Sequence, residues 1–366
     1  VFAGYRVSPV TEYPERLYRA LATAAPRDVH DPTVVVLTPG VYNSAHFEHA
    51  FLARRMGAEL VEGRDLFCRG GFVYMRTTQG PQPVHVIYRR LDDEYLDPVQ
   101  FRGDSVLGVP GLLNAARAGA VTIANGVGNG VADDKALYPY VPKIIEYYLG
   151  EKAILHNVAT HDLTDPDVRA HVLERLDKMV IKPVDGSGGY GLVIGPKATE
   201  AELEEVAAAI IADPRSWIAQ PVVTLSTSPT VGTGGAVQPR HLDLRPFAVN
   251  DGKKIWVLPG GLTRVAMNAG SLVVNSSQGG GSKDTWVLAG TGEEEDGASL
   301  SAEAVLEARR LNRGLPTGGP ITPRVSLPHT HEARMRQQEE QQQQATDEVV
   351  PDATPVEAPQ ASEASC

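Results

Sequence analysis

The apolar residues in the first third of the chain form short runs that alternate with a segment of helical periodicity. Val34–Leu37 is a continuous apolar run that ends before a Pro-Gly turn and predicts a buried strand, and the largely apolar residues 84–88 and 120–124 predict further strands. The segment His46–Met56 predicts a helix. Its apolar positions are Phe47, Ala50, Phe51 and Met56. Strands that alternate with helices predict an open α/β layer over roughly residues 30–130.

Polar turns follow three of the predicted strands, at residues 39–44, 89–93 and 125–130. In open α/β sheets, ligands bind at the carboxyl ends of the strands, where such turns lie. These turns are therefore the places in this region where we expect a ligand.

Beyond the last of these turns the pattern changes. Asp134 can cap a helix that Pro139 and Pro142 then interrupt. Residues 167–176 have a helical pattern, and so does Glu200–Ala212, which carries acidic residues in its first turn.

Strands are predicted around Lys182 and over residues 217–223. From residue 241 to residue 288 the pattern is strand, turn, strand, turn, strand, without helical character. The two regions together predict a mixed α/β (α+β) fold.

The segment that follows the strand of Lys182 is rich in glycine. Gly186, Gly188, Gly189 and Gly191 fall within ten residues of this lysine. Such a loop can fold its backbone N–H groups around an anion, and the lysine adds a positive charge. Because the lysine precedes the glycines, the pattern differs from a Walker A loop. The residues alone fit a hairpin turn with an incidental lysine equally well.

Charged side chains recur near the ends of the later strands. Strict alternation over residues 241–245 predicts that His241, Asp243 and Arg245 share one face, with Leu242 and Leu244 toward the core. Three further polar residues near predicted strand ends are Arg264, Asn275 and Lys283. Singly, each has an ordinary explanation, such as a surface ion pair between Asp243 and Arg245. Together with Lys182 they favour a site for a nucleotide and Mg²⁺, which needs few protein ligands because phosphates supply the others.

Composition narrows the class of protein. The 366 residues are 42% hydrophobic and 22% charged, and the net charge of −11 argues against a general nucleic-acid binder. The sequence lacks an apolar run long enough to span a membrane and the pattern of a signal peptide. The two cysteines are too few for a disulfide framework. We expect a cytoplasmic protein that binds neither nucleic acid nor membrane.

The end of the chain has a different composition from the rest. Residues 291–327 read as a linker with a short helix near residues 302–312, and residues 328–366 are rich in Gln, Glu and Pro. Such a segment buries too little apolar surface to order itself. We expect a disordered tail, which is a candidate for binding a protein partner.

Several motifs, in order along the chain, resemble those of the circularly permuted ATP-grasp family of type 2, which is related to glutathionylspermidine-synthase-like ligases. The motifs are Thr38-Pro-Gly-Val-Tyr-Asn43, Phe47-Glu-His49, Arg89-Arg-Leu-Asp-Asp93, Asp133-Asp-Lys-Ala136, Lys182-Pro-Val-Asp-Gly-Ser-Gly-Gly-Tyr-Gly191, Leu242-Asp-Leu-Arg-Pro-Phe247, Gly260-Gly-Leu-Thr-Arg-Val265 and Asn275-Ser-Ser-Gln-Gly-Gly-Gly-Ser-Lys-Asp284. The resemblance implies a Rossmann-like domain over residues 1–130 and an ATP-grasp region over residues 131–290.

The resemblance also implies ATP and Mg²⁺ as cofactors and assigns roles to individual residues. The implied contacts with ATP are Lys135 and Lys182 on the phosphates, Gly186, Ser187, Gly188, Gly189 and Gly191 as a flap, and Gln220 as a hinge at the adenine edge. The implied metal ligands are Asp243 and Asn275. The implied catalytic side chains are Arg264, Arg245 and Lys283, and the implied contacts with an acidic substrate are Asn43, Arg89 and Arg90.

The implied reaction is amide formation between a small-molecule or peptide carboxylate and an amine, through an acyl phosphate. Two alternatives are a kinase that stops after phosphoryl transfer and a non-catalytic nucleotide-binding scaffold. Family members carry a region before the segment that matches Val1, which can supply strands and metal ligands. Since this sequence lacks it, we expect weak ATP binding and little turnover from this chain alone.

Overall fold

A computed structural model describes residues 5–185, 191–232, 235–274, 280–289 and 343. The chain divides into two compact units. Among the described residues, unit 1 combines those up to Ala24 with those from Asn125 to Ala289, and unit 2 contains Ala25–Ala124. None of the helices in the described ranges has the length and apolar character that a membrane span requires. The predicted linker and tail lie outside the described residues, apart from Gln343.

The helices of the described ranges are mostly short. The α-helices are α1 (Tyr13–Thr23), α2 (His46–Met56), α3 (Asp93–Leu96), α4 (Leu112–Arg117), α5 (Val141–Leu149), α6 (Pro166–Leu173) and α7 (Glu200–Ala212). Further 3₁₀ helices lie at Gly63–Asp65, Asn129–Ala132, Lys135–Tyr140, Leu176–Lys178, Gly195–Lys197 and Pro214–Ser216.

The strands fall into separate sheets. In unit 2 they are β1 (Val34–Leu37), β2 (Glu59–Val61), β3 (Leu66–Arg69), β4 (Phe72–Thr77), β5 (Gly80–Pro83), β6 (Val86–Arg89) and β7 (Thr122–Ala124). In unit 1 they are β8 (His161–Asp162), β9 (Met179–Pro183), β10 (Val193–Ile194), β11 (Trp217–Pro221), β12 (Thr227–Val231), β13 (Val237–Arg245), β14 (Ala248–Asn250), β15 (Ile255–Val257), β16 (Leu262–Val265) and β17 (Gly281–Asp284).

A parallel sheet organises unit 2. Its strands run in the order β2-β1-β6-β7, and each neighbouring pair is parallel. Every residue of β1 is buried, as is typical of a central parallel strand covered on both faces. Tyr95, Leu96 and Leu112 pack with this strand in one hydrophobic core. The open α/β layer predicted from the sequence is therefore confirmed.

An antiparallel sheet of β3, β4 and β5 lies between β2 and β6 along the chain. These strands are not among those predicted from the sequence, although β4 begins with the apolar run Phe72–Met75. The strand β5 consists of glycine, proline and glutamine and has no strand signal.

The helix α2 forms over the predicted residues, but of the apolar positions that predicted it only Met56 is buried. His49, Ala53 and Met56 are buried. Phe47 and Phe51 are instead 75% and 54% exposed, and their rings stack on the outer face of the helix.

The first sheet of unit 1 carries the predicted strand of Lys182. Its order is β10-β9-β11-β8, with antiparallel pairs throughout. The helix α7 begins at the capping box of Thr199 and Glu202 and buries Val206 and Ile210 against this sheet. Its bounds are those predicted from the sequence.

The second sheet of unit 1 has the order β12-β13-β16-β17 and is also antiparallel. The strand–turn–strand pattern predicted for this region is confirmed for β13 and β16, with the additional hairpin of β14 and β15. The strand predicted to end at Asn275 is wrong over its described residues, since residues 272–274 form no strand. The prediction that Leu244 points into the core is wrong, since this side chain is 55% exposed. Alternation assigns residues to two faces but does not tell which face is covered.

Residues near the start of the chain also belong to unit 1. The hydroxyl of Thr23, at the end of α1, donates to the backbone oxygen of Asp251 at 3.3 Å. The rings of Tyr13 and Phe247 meet edge to face with centroids 5.4 Å apart. The described chain is thus a mixed α/β protein, which confirms the predicted fold class.

Candidate functional site

Lys182 and Gln220 face each other diagonally across two paired strands of unit 1. The register pairs Lys182 of β9 with Ile218 of β11, and Val180 with Gln220, so both polar side chains lie on one face. The Lys182 Nζ donates to Gln220 Oε1 at 2.6 Å. Burial lowers the pKa of Lys182, and Gln220 is itself buried. The strands therefore hold a desolvated ammonium against a buried amide.

Thr160, which immediately precedes β8, sets the orientation of this amide. Its hydroxyl donates to the backbone oxygen of Val158 at 2.9 Å, so it can only accept from Gln220 Nε2, which lies 2.8 Å away. The network thereby assigns the amide nitrogen of Gln220 to Thr160 and its oxygen to Lys182.

Asp134 caps the 3₁₀ helix Lys135–Tyr140, as the sequence predicts. Its carboxylate accepts from the backbone N–H of Ala136 at 2.8 Å. It also pairs with the Arg215 guanidinium at 2.6 Å, and this hydrogen bond lowers the pKa of Asp134. The first turn of the helix is thus fastened to the segment before β11.

Lys135 is the first residue of that helix. Its backbone N–H and its Nζ both donate to the backbone oxygen of Val184, at 3.0 and 3.3 Å. Since Val184 is two residues beyond Lys182, the structure brings the two predicted phosphate lysines to the same end of β9.

Gly191 lies beside this strand end with φ of +67°, in the left-handed region that favours glycine. A Cβ at this position would lie 3.2 Å from Cγ of Pro183, the last residue of β9. The other predicted flap residues, Gly186, Ser187, Gly188 and Gly189, lie outside the described residues.

Asp243 and Arg264 are direct partners across β13 and β16. One carboxylate oxygen of Asp243 accepts from Arg245 at 3.3 Å. The other oxygen, Oδ1, and the Nε of Arg264 are buried without a hydrogen-bond partner among the described residues. An unpartnered buried polar atom costs about 1–3 kcal/mol. Two directly opposed positions thus carry one acceptor and one donor atom without a partner in the described ranges.

The unpartnered oxygen of Asp243 also fits a hard divalent cation, since Mg²⁺ prefers carboxylate oxygens and few protein ligands. The second predicted ligand, Asn275, lies outside the described residues. In the described ranges, no group of three His, Cys, Asp or Glu side chains is arranged to hold a metal ion.

Arg245 and Lys283 lie on opposite faces of the second sheet of unit 1. Arg245 shares the face of Asp243, to which its guanidinium is bonded. Lys283 pairs with Thr263 and therefore points to the opposite face from Arg264. The Lys283 Nζ donates to the backbone oxygen of Pro229 at 2.6 Å. The structure thus separates Lys283 from the other predicted catalytic side chains.

The predicted substrate residues all lie in unit 2. The Asn43 side chain accepts from the backbone N–H of Ala45 at 2.9 Å, in the turn before α2. Arg89 is buried and pairs with Asp93 at 2.5 Å. Arg90 is exposed, with its guanidinium 5.8 Å from the ring centroid of Tyr88. Their role in binding a substrate stays a prediction.

Sequence reasoning did not find Thr160 or the partnership of Asp134 with Arg215. Thr160 lies in a segment without periodicity, and its contact with Gln220 spans 60 residues. Asp134 and Arg215 are 81 residues apart. Pairs so distant in sequence leave no local signal.

Comparison with known proteins identifies the family. The family model described as circularly permuted ATP-grasp type 2 matches residues 1–266. An uncharacterized protein of Mycobacterium tuberculosis is 64% identical over 289 residues, which cover 79% of this chain and 52% of the relative. A Frankia alni protein named "Putative glutamate--cysteine ligase 2-3" is 48% identical over 275 residues, covering 75% of this chain and 32% of the relative.

One solved structure that resembles the chain is the ATP-grasp ligase PsnB complexed with a phosphomimetic variant of its minimal precursor, Mg and ADP. Its TM-score is 0.31 at 14% identity, over 66% of this chain and 86% of that one. The chain spans about half the length of the first curated relatives it matches. Since the family model covers well over half of its residues, the chain belongs to the circularly permuted ATP-grasp type 2 family.

Proposed function

We propose that this protein is an ATP- and Mg²⁺-dependent ligase that joins a carboxylate to an amine. The observation that carries the proposal is the opposed pair of Asp243 and Arg264, whose Oδ1 and Nε atoms are buried without partners in the described ranges. A site that must bind a cation and a transferring anion side by side needs one free carboxylate oxygen and one free guanidinium donor.

The nucleotide would be held at the end of β9. Lys135 and Lys182 would meet its phosphates, since both approach the same strand end. Gln220, at the end of a buried segment of β11, would lie at the adenine edge. Lys182 is already ordered by Gln220, so little side-chain freedom remains to be lost when a phosphate replaces the amide as its partner.

Asp243 would hold Mg²⁺ together with Asn275. When bound, this ion neutralises part of the charge of the phosphates. Arg264 would donate to the transferring group on the same face of the sheet. The protein's own contribution is then position and charge, without a nucleophilic side chain.

The proposed reaction has two steps. A carboxylate oxygen of the substrate attacks the γ-phosphorus of ATP, so that one O–P bond forms and the bond to ADP breaks. The amine then attacks the carbonyl carbon of the acyl phosphate. The C–N bond forms, the C–O bond breaks, inorganic phosphate leaves and the amine proton passes to water.

The substrates are proposed only by class. The name of the Frankia alni relative refers to glutamate and cysteine, which makes amino acids and short peptides the first carboxylates and amines to try.

A test incubates the full-length protein with ATP, Mg²⁺ and pooled amino acids, and in parallel with N-acetyl amino acids, which carry a carboxylate but no amine. Mass spectrometry then searches for a product equal to two substrates less one water, while ADP is measured in parallel. ADP that forms only when both a carboxylate and an amine are present supports a ligase. ADP and a phosphorylated product without any amine would identify a kinase instead. If the protein binds ATP but forms no ADP and leaves the substrates unchanged, the result would favour the alternative of a non-catalytic nucleotide-binding scaffold.

A further inference from the structure

The helix α5 is poorly covered by the rest of unit 1. All nine of its residues lie in the described range, and none of them is buried. Helices shorter than about 12–15 residues are marginal in water, and in proteins they are stabilised mostly by the packing of an apolar face. Yet Tyr147, Tyr148 and Leu149, in the last turn of α5, are 66–82% exposed. This turn therefore presents apolar side chains where a covered face is expected.

The segment after α5 adds to the same surface. Ile154 and Leu155 are 90% and 80% exposed. Asn157 Nδ2 then donates to the backbone oxygen of Tyr138 at 3.4 Å, and Tyr138 belongs to the helix that leads into α5. The chain thus runs back along α5 after its end, which places this apolar pair next to the helix. We call the five exposed apolar side chains the α5 face: Tyr147, Tyr148, Leu149, Ile154 and Leu155.

The α5 face has the area of an interface. A large aromatic side chain can bury about 150–250 Å², so two tyrosines and three aliphatic side chains together offer roughly 500 Å² or more. Each partner in a standard-size protein interface contributes about 800 Å², of which a little over half is apolar. The α5 face is thus large enough to supply the apolar part of a stable interface.

The charges around the α5 face favour a second copy of this chain as its partner. The chain has a net charge of −11, so two copies repel each other over most of their surface. At this face, however, the exposed Lys143 and Lys152 balance the exposed Glu146 and Glu151. A neutral face selects neither an acidic nor a basic partner, and a membrane surface would be matched by an excess of lysine and arginine.

These charges are also ordered along the helix. Lys143 lies near the start of α5, with its Nζ 6.0 Å from the ring centroid of Tyr140, whereas Glu151 follows the end of α5. In a twofold dimer each contact occurs twice, with the two copies exchanged. If two copies of α5 cross antiparallel, Lys143 of each copy lies beside Glu151 of the other. The twofold axis then passes near Tyr147, which is midway between them and shares a helix face with Lys143.

We propose that the α5 face is a dimer interface, on which a second copy of this chain packs its own α5 antiparallel about a twofold axis near Tyr147. The dimer covers the apolar side chains of the last turn of α5. It also places Lys143 of each copy against Glu151 of the other. This assignment does not depend on the proposed function, because dimerisation needs neither ATP nor a substrate.

The experiment measures the mass of the full chain by sedimentation equilibrium over a range of micromolar concentrations. The apolar test variants are Tyr147→Ser and Tyr148→Ser. The matched control is Ile211→Ser, at an exposed apolar residue of α7. The charge variants are Lys143→Glu and Glu151→Lys, each measured alone and in an equal mixture. Thermal melting of each variant shows whether it folds.

We expect the unaltered chain to sediment with twice the mass of one chain. Each tyrosine variant should raise the dissociation constant about tenfold or more, and Ile211→Ser should leave it unchanged. Each charge variant alone should dimerise more weakly, because like charges then meet at both symmetric contacts. Their mixture should dimerise more tightly than either variant alone, since opposite charges are restored at both contacts.

Three results would overturn the assignment. A single-chain mass at every concentration would exclude the dimer. A dimer that both tyrosine variants leave unchanged would place the interface elsewhere on the chain. A mixture of the charge variants that dimerises no more tightly than each alone would exclude the antiparallel crossing. Should a tyrosine variant fail to fold, the comparison of the charge variants with their mixture still decides.

Discussion

The ammonium of Lys182 is held 2.6 Å from the side-chain oxygen of Gln220, and this oxygen faces Lys182 because the amide nitrogen is bonded to Thr160. Three side chains from β9, β11 and the segment before β8 thus form one chain of hydrogen bonds. Each link fixes the donor or acceptor role of the next. The position of the lysine therefore depends on a threonine that never touches it.

We expect Thr160→Val to weaken ATP binding, because the released amide can rotate and turn its NH₂ group toward the Lys182 ammonium. The expected loss is about three- to tenfold, since a neutral hydrogen bond contributes about 0.5–1.5 kcal/mol. Calorimetric titration with ATP measures it. Thr160→Ser keeps the hydroxyl and should bind nearly as the unaltered protein does. Equal affinities in the two variants would show that Thr160 does not position Lys182.

Lys182→Ala should weaken ATP binding by about ten- to a hundredfold, since a hydrogen bond to a charged group contributes about 1.5–3 kcal/mol. The fold should persist, because the strand pairing of β9 does not involve the side chain. Lys178→Ala is the control, an exposed lysine that directly precedes the same strand. Unchanged affinity in folded Lys182→Ala would remove this lysine from the nucleotide site.

The structure also shows how far the sequence can locate such a site. Alternation over β13 correctly places Asp243 on one face, because a strand has a fixed period of two. It does not predict that Arg264 lies directly opposite, since that depends on the register with β16. Likewise, Lys283 belongs to the predicted set by its motif, but the register with β17 turns it to the other face.

Whether an element and its buried face can be predicted depends on how far its signals are local and how far they come from distant parts of the chain. The periodicity of α7 predicts its bounds correctly, because capping and apolar spacing are both local signals. The periodicity of α2 predicts a helix but not the inward histidines, since the burial of His49 results from its approach to Thr38 on another element. In the three-strand sheet of β3 to β5, the apolar run Phe72–Met75 gives a local signal for β4, whereas β5 forms only by pairing with β4 and has no apolar run of its own.

Asp243→Asn should strongly reduce turnover and ATP binding in the presence of Mg²⁺. Binding of ATP in the absence of Mg²⁺ should change far less. The amide offers the cation one neutral oxygen in place of a charged carboxylate. Titration of ATP with and without Mg²⁺ separates the two effects, and Asp177→Asn, an exposed acid elsewhere in unit 1, is the control. An unaltered response to Mg²⁺ would make Asp243 only the ion-pair partner of Arg245.

The free energy of unfolding should decrease as the pH is lowered below neutrality, and His49 is one cause. Burial, with smaller contributions from Arg90 and His46, lowers the pKa of His49 from its ordinary value of 6.5 to about 4. The unfolded chain therefore binds a proton more readily than the folded one between these values. The contribution of neutral His49 is complete above pH 6.5 and is lost as the pH falls toward about 4.

Urea unfolding at several values of pH tests this in the unaltered protein and in His49→Gln. The difference in unfolding free energy between the two should shrink as the pH falls, by at most about 3 kcal/mol. His156→Gln, at an exposed histidine, should retain the slope of the unaltered protein. A difference that does not change with pH would show that His49 titrates alike in the folded and unfolded states.

Gly191→Ala should destabilise the protein and also weaken ATP binding. An alanine with φ of +67° is strained by about 1–2 kcal/mol, and its Cβ would press on the ring of Pro183 at the end of the strand that carries Lys182. Gly150→Ala is a matched control, because Gly150 has φ of +66° but no atom within 4 Å of its Cβ position. Both variants therefore bear the backbone strain, and only Gly191→Ala bears the contact with Pro183.

We expect urea unfolding to show a lower free energy of unfolding in both variants, with the larger decrease in Gly191→Ala. We expect ATP titration to show weaker binding in Gly191→Ala alone. If the two variants lose equal stability and bind ATP equally well, the close approach of Gly191 to Pro183 has no part in shaping the nucleotide site.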